Sequence, residues 1–243
     1  MSAKKDKNEN ENSGVSRKLF ENLYNVNPEK VPWGYNTPDA DIIPLIDKLD
    51  VPPNARVLDA GCGNGKNSVY LREKGFETYG FDISSKAIAF AHKSIPTGDF
   101  VVADAVSLPY AEEVFDLIVD VGLLHSIPPD AWESYKKETN RILKPKGYYF
   151  LRSFHRPLNY PPDKPILYEN TDQTGRSYFE RDPNKEQFPI WGFNIPQIRD
   201  FFKEFKIRVE RYSNLGGGDR LYVVMSKEEK KGKGPWYKRV LKT

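Results

Sequence analysis

The sequence predicts an α/β fold, a mostly parallel sheet with helices on both faces. Three observations predict it. From residue 55 onward, short apolar runs of strand length alternate with helical patterns, the rhythm of βαβ units. A glycine-rich turn, Asp59-Ala-Gly-Cys-Gly-Asn-Gly65, joins the first strand to the first helix of that series. Near the end, two strands flank Asn-Leu-Gly-Gly-Gly-Asp and should pair as an antiparallel hairpin. Right-handed crossovers then fix much of the topology.

The elements follow in order. Residues 1–14 are Lys, Asn, Glu and Ser with almost nothing to bury, a composition of disorder. Residues 15–54 form a helical arm and an aromatic loop. Within it, Val15, Leu19, Phe20, Leu23 and Tyr24 mark a short amphipathic helix, and Val31-Pro-Trp-Gly-Tyr-Asn-Thr-Pro38 a stiff loop. A second helix over 39–49 should bury Ile42, Ile43, Leu45, Ile46 and Leu49. The main domain, 55–227, begins with strand Arg56–Ala60 and helix Asn64–Lys74, closed by Gly75. Strand Glu77–Asp82 follows, then a helix capped by Ser84 and running to Lys93. Asp99–Asp104 is the third strand, and Phe115–Val121 the fourth, buried on both faces. Helix Asp130–Leu143 leads through a Lys-Pro-Lys-Gly turn to strand Tyr148–Phe154. Residues 155–192 are Pro- and Asp-rich without a period, and an insertion that long is usually a lid or a binding segment. Helix Pro196–Phe205 precedes strands Phe205–Tyr212 and Arg220–Met225. The tail, 228–243, is basic.

Composition bounds the function. The chain has 243 residues, enough for one α/β domain with additions, and a formal net charge of +3, far from the basic stripe of a dedicated nucleic-acid binder. Its one cysteine, Cys62, excludes an internal disulfide and suits a reducing compartment. There is no apolar run of secretory or membrane-spanning length, so a cytoplasmic protein is expected. Three histidines and one cysteine, widely spaced, predict no metal site.

The glycine turn carries the chemistry. Glycine permits positive φ and lets backbone approach a ligand, and the following helix offers unpaired N–H groups. Ligands in such sheets sit beyond the carboxyl ends of the strands. Dinucleotide-binding turns read Gly-x-Gly-x-x-Gly; here Lys66 stands where the third glycine would be, and no Gly-Lys-Ser/Thr ending marks a phosphate loop. Asp82 ends the second strand 17 residues after Gly65, where an acid can accept both hydroxyls of a ribose.

The turn, its preceding acid Asp59, Asp104-Ala105 after strand three, Asp120-Val121-Gly122 at the end of strand four, Arg141-Ile-Leu-Lys-Pro-Lys-Gly147 and the late hairpin together resemble the class I S-adenosylmethionine-dependent methyltransferases over about residues 55–225. The resemblance implies a Rossmann-like seven-stranded sheet of order 3-2-1-4-5-7-6 with its last strand antiparallel. It implies S-adenosyl-L-methionine as cofactor, held by Asp59, Gly61, Gly63, Gly65, Asp82, Ile83, Asp104, Ala105, Asp120 and Val121. Pro32-Trp33, Pro38 and the helix to Leu49 are similar to the entry segment of the small-molecule thiopurine, halide/thiol and tellurite-resistance group, which adds Trp33 near the cofactor. The chain departs from the halide/thiol type at Gly34-Tyr35-Asn36 and in its 155–192 insertion.

The acceptor side is more open. His125, just after strand four, is the candidate base; Tyr35, His125, Arg152, His155 and Trp191 are candidate acceptor contacts, with Tyr160 a possible wall. The expected acceptor is a small molecule presenting a thiol, another soft nucleophile or a metabolite O or N, and the expected assembly a monomer or homodimer. RNA or a protein side chain, reached by the basic tail, is one alternative; a non-catalytic cofactor-binding regulator is another.

Overall fold

A computed structural model describes residues 17–25, 37–156, 158, 190–213 and 220–229. One seven-stranded sheet runs in the order β3-β2-β1-β4-β5-β7-β6. The strands are β1 (Arg56–Ala60), β2 (Glu77–Asp82), β3 (Asp99–Val102), β4 (Phe115–Val121), β5 (Leu143–Phe154), β6 (Phe205–Ser213) and β7 (Arg220–Lys227). The first five pair in parallel, and β7 runs antiparallel to both β5 and β6. The sheet order and the reversed seventh strand are as expected.

The helices are α1 (17–25), α2 (Ile43–Ile46), α3 (Lys66–Glu73), α4 (Ser85–Ser94), α5 (Trp132–Ile142) and α6 (Ile195–Phe201). Two-residue alternation sends Val57, Leu117, Val119, Phe150 and Val224 to one face, where Ile42, Leu45, Ile46 and Leu71 cover them. It sends Leu58, Ile118, Tyr149, Leu151 and Val223 to the other, under Tyr135, Ile142, Ile198 and Phe202. Helix α4 fills its own corner with Ala91 and Ile88 against Cys62 and Phe100.

Local sequence explains the ends. The Ser84 hydroxyl accepts from Ala87 N–H at 3.2 Å and caps α4. Asn194 and Gln197 form a reciprocal capping box on α6. Each cap of this kind contributes about 1 kcal/mol.

Four expectations change. The helix expected over 39–49 shrinks to one turn, because Pro44 removes a donor and the flanking residues close as turns instead. Ile43, expected on its buried face, is 42% exposed. Strand β3 stops at Val102, and Asp104 lies in a turn bridged to Ser107. The Lys-Pro-Lys-Gly segment is not a separating turn but a bulge within β5: Leu143 pairs with Phe115, and pairing resumes at Tyr148 with Leu117. Lys146 takes φ +65° there, and Lys144 Nζ spans back to both Asp116 carboxylate oxygens at 2.8 Å. Helices α3, α5 and α6 are each shorter than expected by the same amount, and α6 stops at Phe201, leaving Phe205 to begin β6.

Among the described residues no helix is long and apolar enough to cross a membrane, and no group of three His, Cys, Asp or Glu could hold a metal ion.

Candidate active site

The glycine turn leaves β1 at Ala60 and returns into α3 at Lys66. Gly61, Gly63 and Gly65 take φ of +67°, +55° and +80°, a left-handed run that a side chain would strain. Asp82, at the end of β2, ties this turn down: one carboxylate oxygen accepts from Gly63 N–H at 3.0 Å and the other from Ser84 N–H at 2.9 Å. Burial pushes its pKa up to about 6, against the lowering effect of those N–H groups. Asp59 sits beneath the turn. Its carboxylate accepts from the Ser68 hydroxyl of α3 at 2.5 Å, and burial raises it to about 6 as well.

Helix α1 lies over this end of the sheet. Glu21 accepts from the N–H and the hydroxyl of Ser85 at 2.7 and 2.8 Å, placing a carboxylate on the first turn of α4. Tyr24 is buried, and its hydroxyl stands 2.7 Å from where a Cβ on Gly63 would be. Gly63→Ala therefore meets both a forbidden φ and a fixed ring. It is expected to destabilise the protein by about 1–2 kcal/mol and to expose α1 to protease. Urea unfolding and limited proteolysis measure the two effects, and an unchanged α1 cleavage rate would show that Tyr24 simply swings aside.

A cavity of about 650 Å³, counting its mouth, opens beyond the ends of β2, β3 and β4. Ile83, Asp104, Ala105, Val106 and Leu123 line it, and Phe20 of α1 closes one side. Its mostly apolar walls, with Asp104 and Asp130 among them, suit a flat heterocycle.

A second group of side chains gathers past β4 and β5. His125 sits in the short 3₁₀ turn Leu124–Ser126, only 4% exposed, with its imidazole against Gly122 and against the Phe154 ring, centroids 4.8 Å apart. Gly122 has φ +97°, and a Cβ there would stand 3.2 Å from the imidazole. Burial, and then the nearby charges of Arg152 and Arg220, hold His125 well below 6.5, so it is neutral at pH 7. Arg152 is only 6% exposed; its guanidinium carbon lies 5.4 Å from the Phe154 centroid, and its Nε is 3.5 Å from Asp39 Oδ2. Trp191 N–H donates to the His125 carbonyl at 2.7 Å.

The structure thus gathers Gly61, Gly63, Gly65 and Asp82 in one turn and Ile83, Asp104 and Ala105 in one cavity. It also brings His125, Arg152 and Trp191 together. Others stand differently from expectation. The Asp59 carboxylate is taken by Ser68, so it shapes the turn from below. Asp120 is fully buried and is not among the residues that line the cavity: it accepts from Leu123 and Leu124 N–H and from the hydroxyls of Tyr135 and Tyr149, both at 2.9 Å. Val121 packs in the apolar layer with Leu117 and Val119. The His155 ring stands edge-on to Tyr212 of β6 at 4.7 Å, and its backbone bridges to Phe193. The Trp191 ring meets Trp132 edge-on at 6.4 Å, an anchoring contact. Trp33, Tyr35, Tyr160, most of 155–192, residues 1–14 and the basic tail beyond Glu229 lie outside the described residues.

Sequence reading missed Phe20, Glu21, Tyr24, Asp39 and Leu123. Asp39 carried a signal, an acid between Pro38 and an apolar helix; the others looked like ordinary amphipathic residues.

A parallel sheet with a reversed seventh strand, a left-handed glycine turn and an acid tying that turn to β2 define a class I methyltransferase fold. Comparison with known proteins agrees. A methyltransferase domain model matches residues 58–151. An uncharacterized methyltransferase of Synechocystis is 36% identical over 115 residues, 47% of this chain and 54% of that protein. The 2-heptyl-1-hydroxyquinolin-4(1H)-one methyltransferase of Mycobacteroides abscessus is 31% identical over 155 residues, 60% of this chain and 67% of that protein. The match therefore spans about half the length of the first relative and two thirds of the second. A crystal structure of an S-adenosylmethionine-dependent methyltransferase from Methanosarcina mazei superposes with a TM-score of 0.63 at 22% identity, over 76% of this chain and 97% of that one, a likeness of fold. The chain belongs to the S-adenosylmethionine-dependent methyltransferases, and its cofactor is S-adenosylmethionine.

Proposed function

We propose that this protein transfers the methyl group of S-adenosylmethionine, by in-line displacement, to a small-molecule acceptor presenting oxygen, nitrogen or sulfur. The observation that carries this reading is the apolar cavity beside the Asp82-tied glycine turn. Its walls fit the adenosine: Ile83 and Leu123 would line the base, Asp104 would take its amino group, and Asp82, with lone pairs unused, would accept from the ribose hydroxyls. The bare backbone of Gly61 and Gly63 admits the methionine end. When bound, the cofactor supplies a methyl carbon already activated by a sulfonium.

The remaining task of the chain is alignment and exclusion of water, and orientation alone can contribute about 7–11 kcal/mol to such a reaction. His125, just after β4, and Arg152, near the end of β5, are the candidate acceptor contacts. The mycobacterial relative is a methyltransferase of a small N-hydroxyquinolone, which supports a small acceptor. The basic tail that would favour RNA lies outside the described residues.

The test has two parts. Calorimetry with S-adenosylhomocysteine should show one site per chain, and absence of binding would remove the reading. Labelled methyl transfer to a panel of hydroxyls, amines, thiols, RNA and peptides should label a small molecule. Binding without any transfer would instead mark a non-catalytic regulator.

A further inference from the structure

Two buried polar groups past β4 and β5 have no protein partner that suits them. The Nδ1 of His125 and the Nε of Arg152 are both enclosed and make no hydrogen bond, although their side chains are more than nine-tenths buried. Asp39 is near Arg152, but at 3.5 Å it is an ion pair without a hydrogen bond to Nε. Leaving such a group unsatisfied costs about 1–3 kcal/mol, and more when it is charged. Both flank one ring, Phe154, and Gly122 N–H, two residues after the Asp120 that anchors the His125 turn, donates to the Arg152 carbonyl at 3.1 Å. The pair is therefore held as one rigid unit at the edge where ligands of such sheets bind.

We propose that the acceptor is an acidic hydroxyl (an N-hydroxyl, an enol or a phenol) whose proton passes to the His125 imidazole and whose oxyanion is held by Arg152. This deepens the methyl-transfer reading and rests on it. The step balances. The acceptor O–H bond breaks and its proton joins a ring nitrogen of His125. The oxygen pair forms the C–O bond, the C–S bond breaks, and its pair returns to sulfur, leaving a neutral thioether. The imidazolium then passes its proton to water.

The environment selects the acidity. His125 is desolvated and faces the cations Arg152 of β5 and Arg220 of β7, so it is a weak base. A weak base deprotonates only acceptors that are themselves acidic, because transfer works best between groups of matched pKa. A simple alcohol is out of its range. An ammonium acceptor would be repelled by Arg152. The guanidinium fork bonds oxygen anions, with short charge-assisted hydrogen bonds that sulfur does not match.

The experiment uses the full chain, methyl-labelled S-adenosylmethionine and five probes: 1-hydroxyquinolin-4(1H)-one, 4-nitrophenol, benzyl alcohol, benzylamine and benzyl thiol. Transfer to the two acidic hydroxyls should exceed transfer to the other three by about 100-fold or more. His125→Gln should lower kcat by about 10²-fold or more. Arg152→Met should raise KM by about tenfold, with Arg152→Lys recovering part of the loss. Both variants should keep S-adenosylhomocysteine affinity within about twofold, which also reports that they fold. Preference for the thiol or amine, an unchanged kcat in His125→Gln, or no labelled probe despite S-adenosylhomocysteine binding would each overturn the proposal. A variant that loses that affinity would make its side chain structural and overturn its assigned role. If the wild-type protein does not bind S-adenosylhomocysteine at all, the methyl-transfer reading itself fails, a separate and recognisable result.

Discussion

Asp120→Ala is expected to destabilise the protein by about 3–5 kcal/mol, a large share of the stability of a domain this size. The carboxylate collects four donors in the dry centre of the sheet: two tyrosine hydroxyls, Tyr135 from α5 and Tyr149 from β5, and two backbone N–H groups of the turn after β4. Removing it strands all four, and buried donors without acceptors are expensive. Asp120→Asn keeps one good acceptor oxygen and should cost less than the alanine. Because the same carboxylate clamps the turn that carries His125, both variants should also slow transfer at temperatures where they remain folded. Urea unfolding measures the stability change; a loss below about 1 kcal/mol would mean that water replaces the carboxylate.

The second large effect concerns Asp82 and pH. In the free protein its pKa is raised to about 6, because burial outweighs the two N–H groups that favour the charged form. Ribose hydroxyls donate to the carboxylate, so on the proposed reading the bound form favours ionisation and has the lower pKa. Binding is then fully present above about pH 6 and is lost as pH falls through 6, by about tenfold per unit at the steepest. Asp82→Asn removes the titration: affinity for S-adenosylhomocysteine should drop by about 10–100-fold at pH 7.5 and lose this pH dependence. Calorimetry at pH 5 to 8 separates the outcomes. A wild-type affinity that is flat across this range would show that Asp82 does not contact the ribose.

Much of this was legible before any coordinates. The ends of β1, β2 and β4 fall where the sequence pattern put them, because each is a short apolar run stopped by a glycine or an acid. The reversed β7 followed from the glycine-rich link before it. Residues whose role is set by type and strand end, such as Asp82 and Asp104, were also readable. Orientation was not. Asp59 and Asp120 sit at strand ends like Asp82, yet each points to an internal partner, and only the path of Ser68, Tyr135 and Tyr149 decides that. Helix α1 was seen as amphipathic, but nothing in a 3.6-residue period says that its Glu21 meets the first turn of α4. The β5 bulge was hidden because Pro145 and Gly147 write the same signal for a turn and for an interrupted ladder.

The reversal of β7 divides the labour of the sheet. A parallel seventh strand would bring its last residues to the edge where β1, β4 and β5 finish. The antiparallel one brings its first, so Arg220 stands opposite Phe154 and beside Arg152, while Lys227 lies at the far end near Leu143. The start of β7 therefore stands at the same end of the sheet as Phe154, the ring against which His125 packs, whereas the glycine turn and the cavity belong to β1 through β4. Changes at the end of β5 or the start of β7 therefore reach the surroundings of His125 and Arg152 without touching a single residue of the glycine turn, so on the proposed reading acceptor choice can change while the donor site stays as it is.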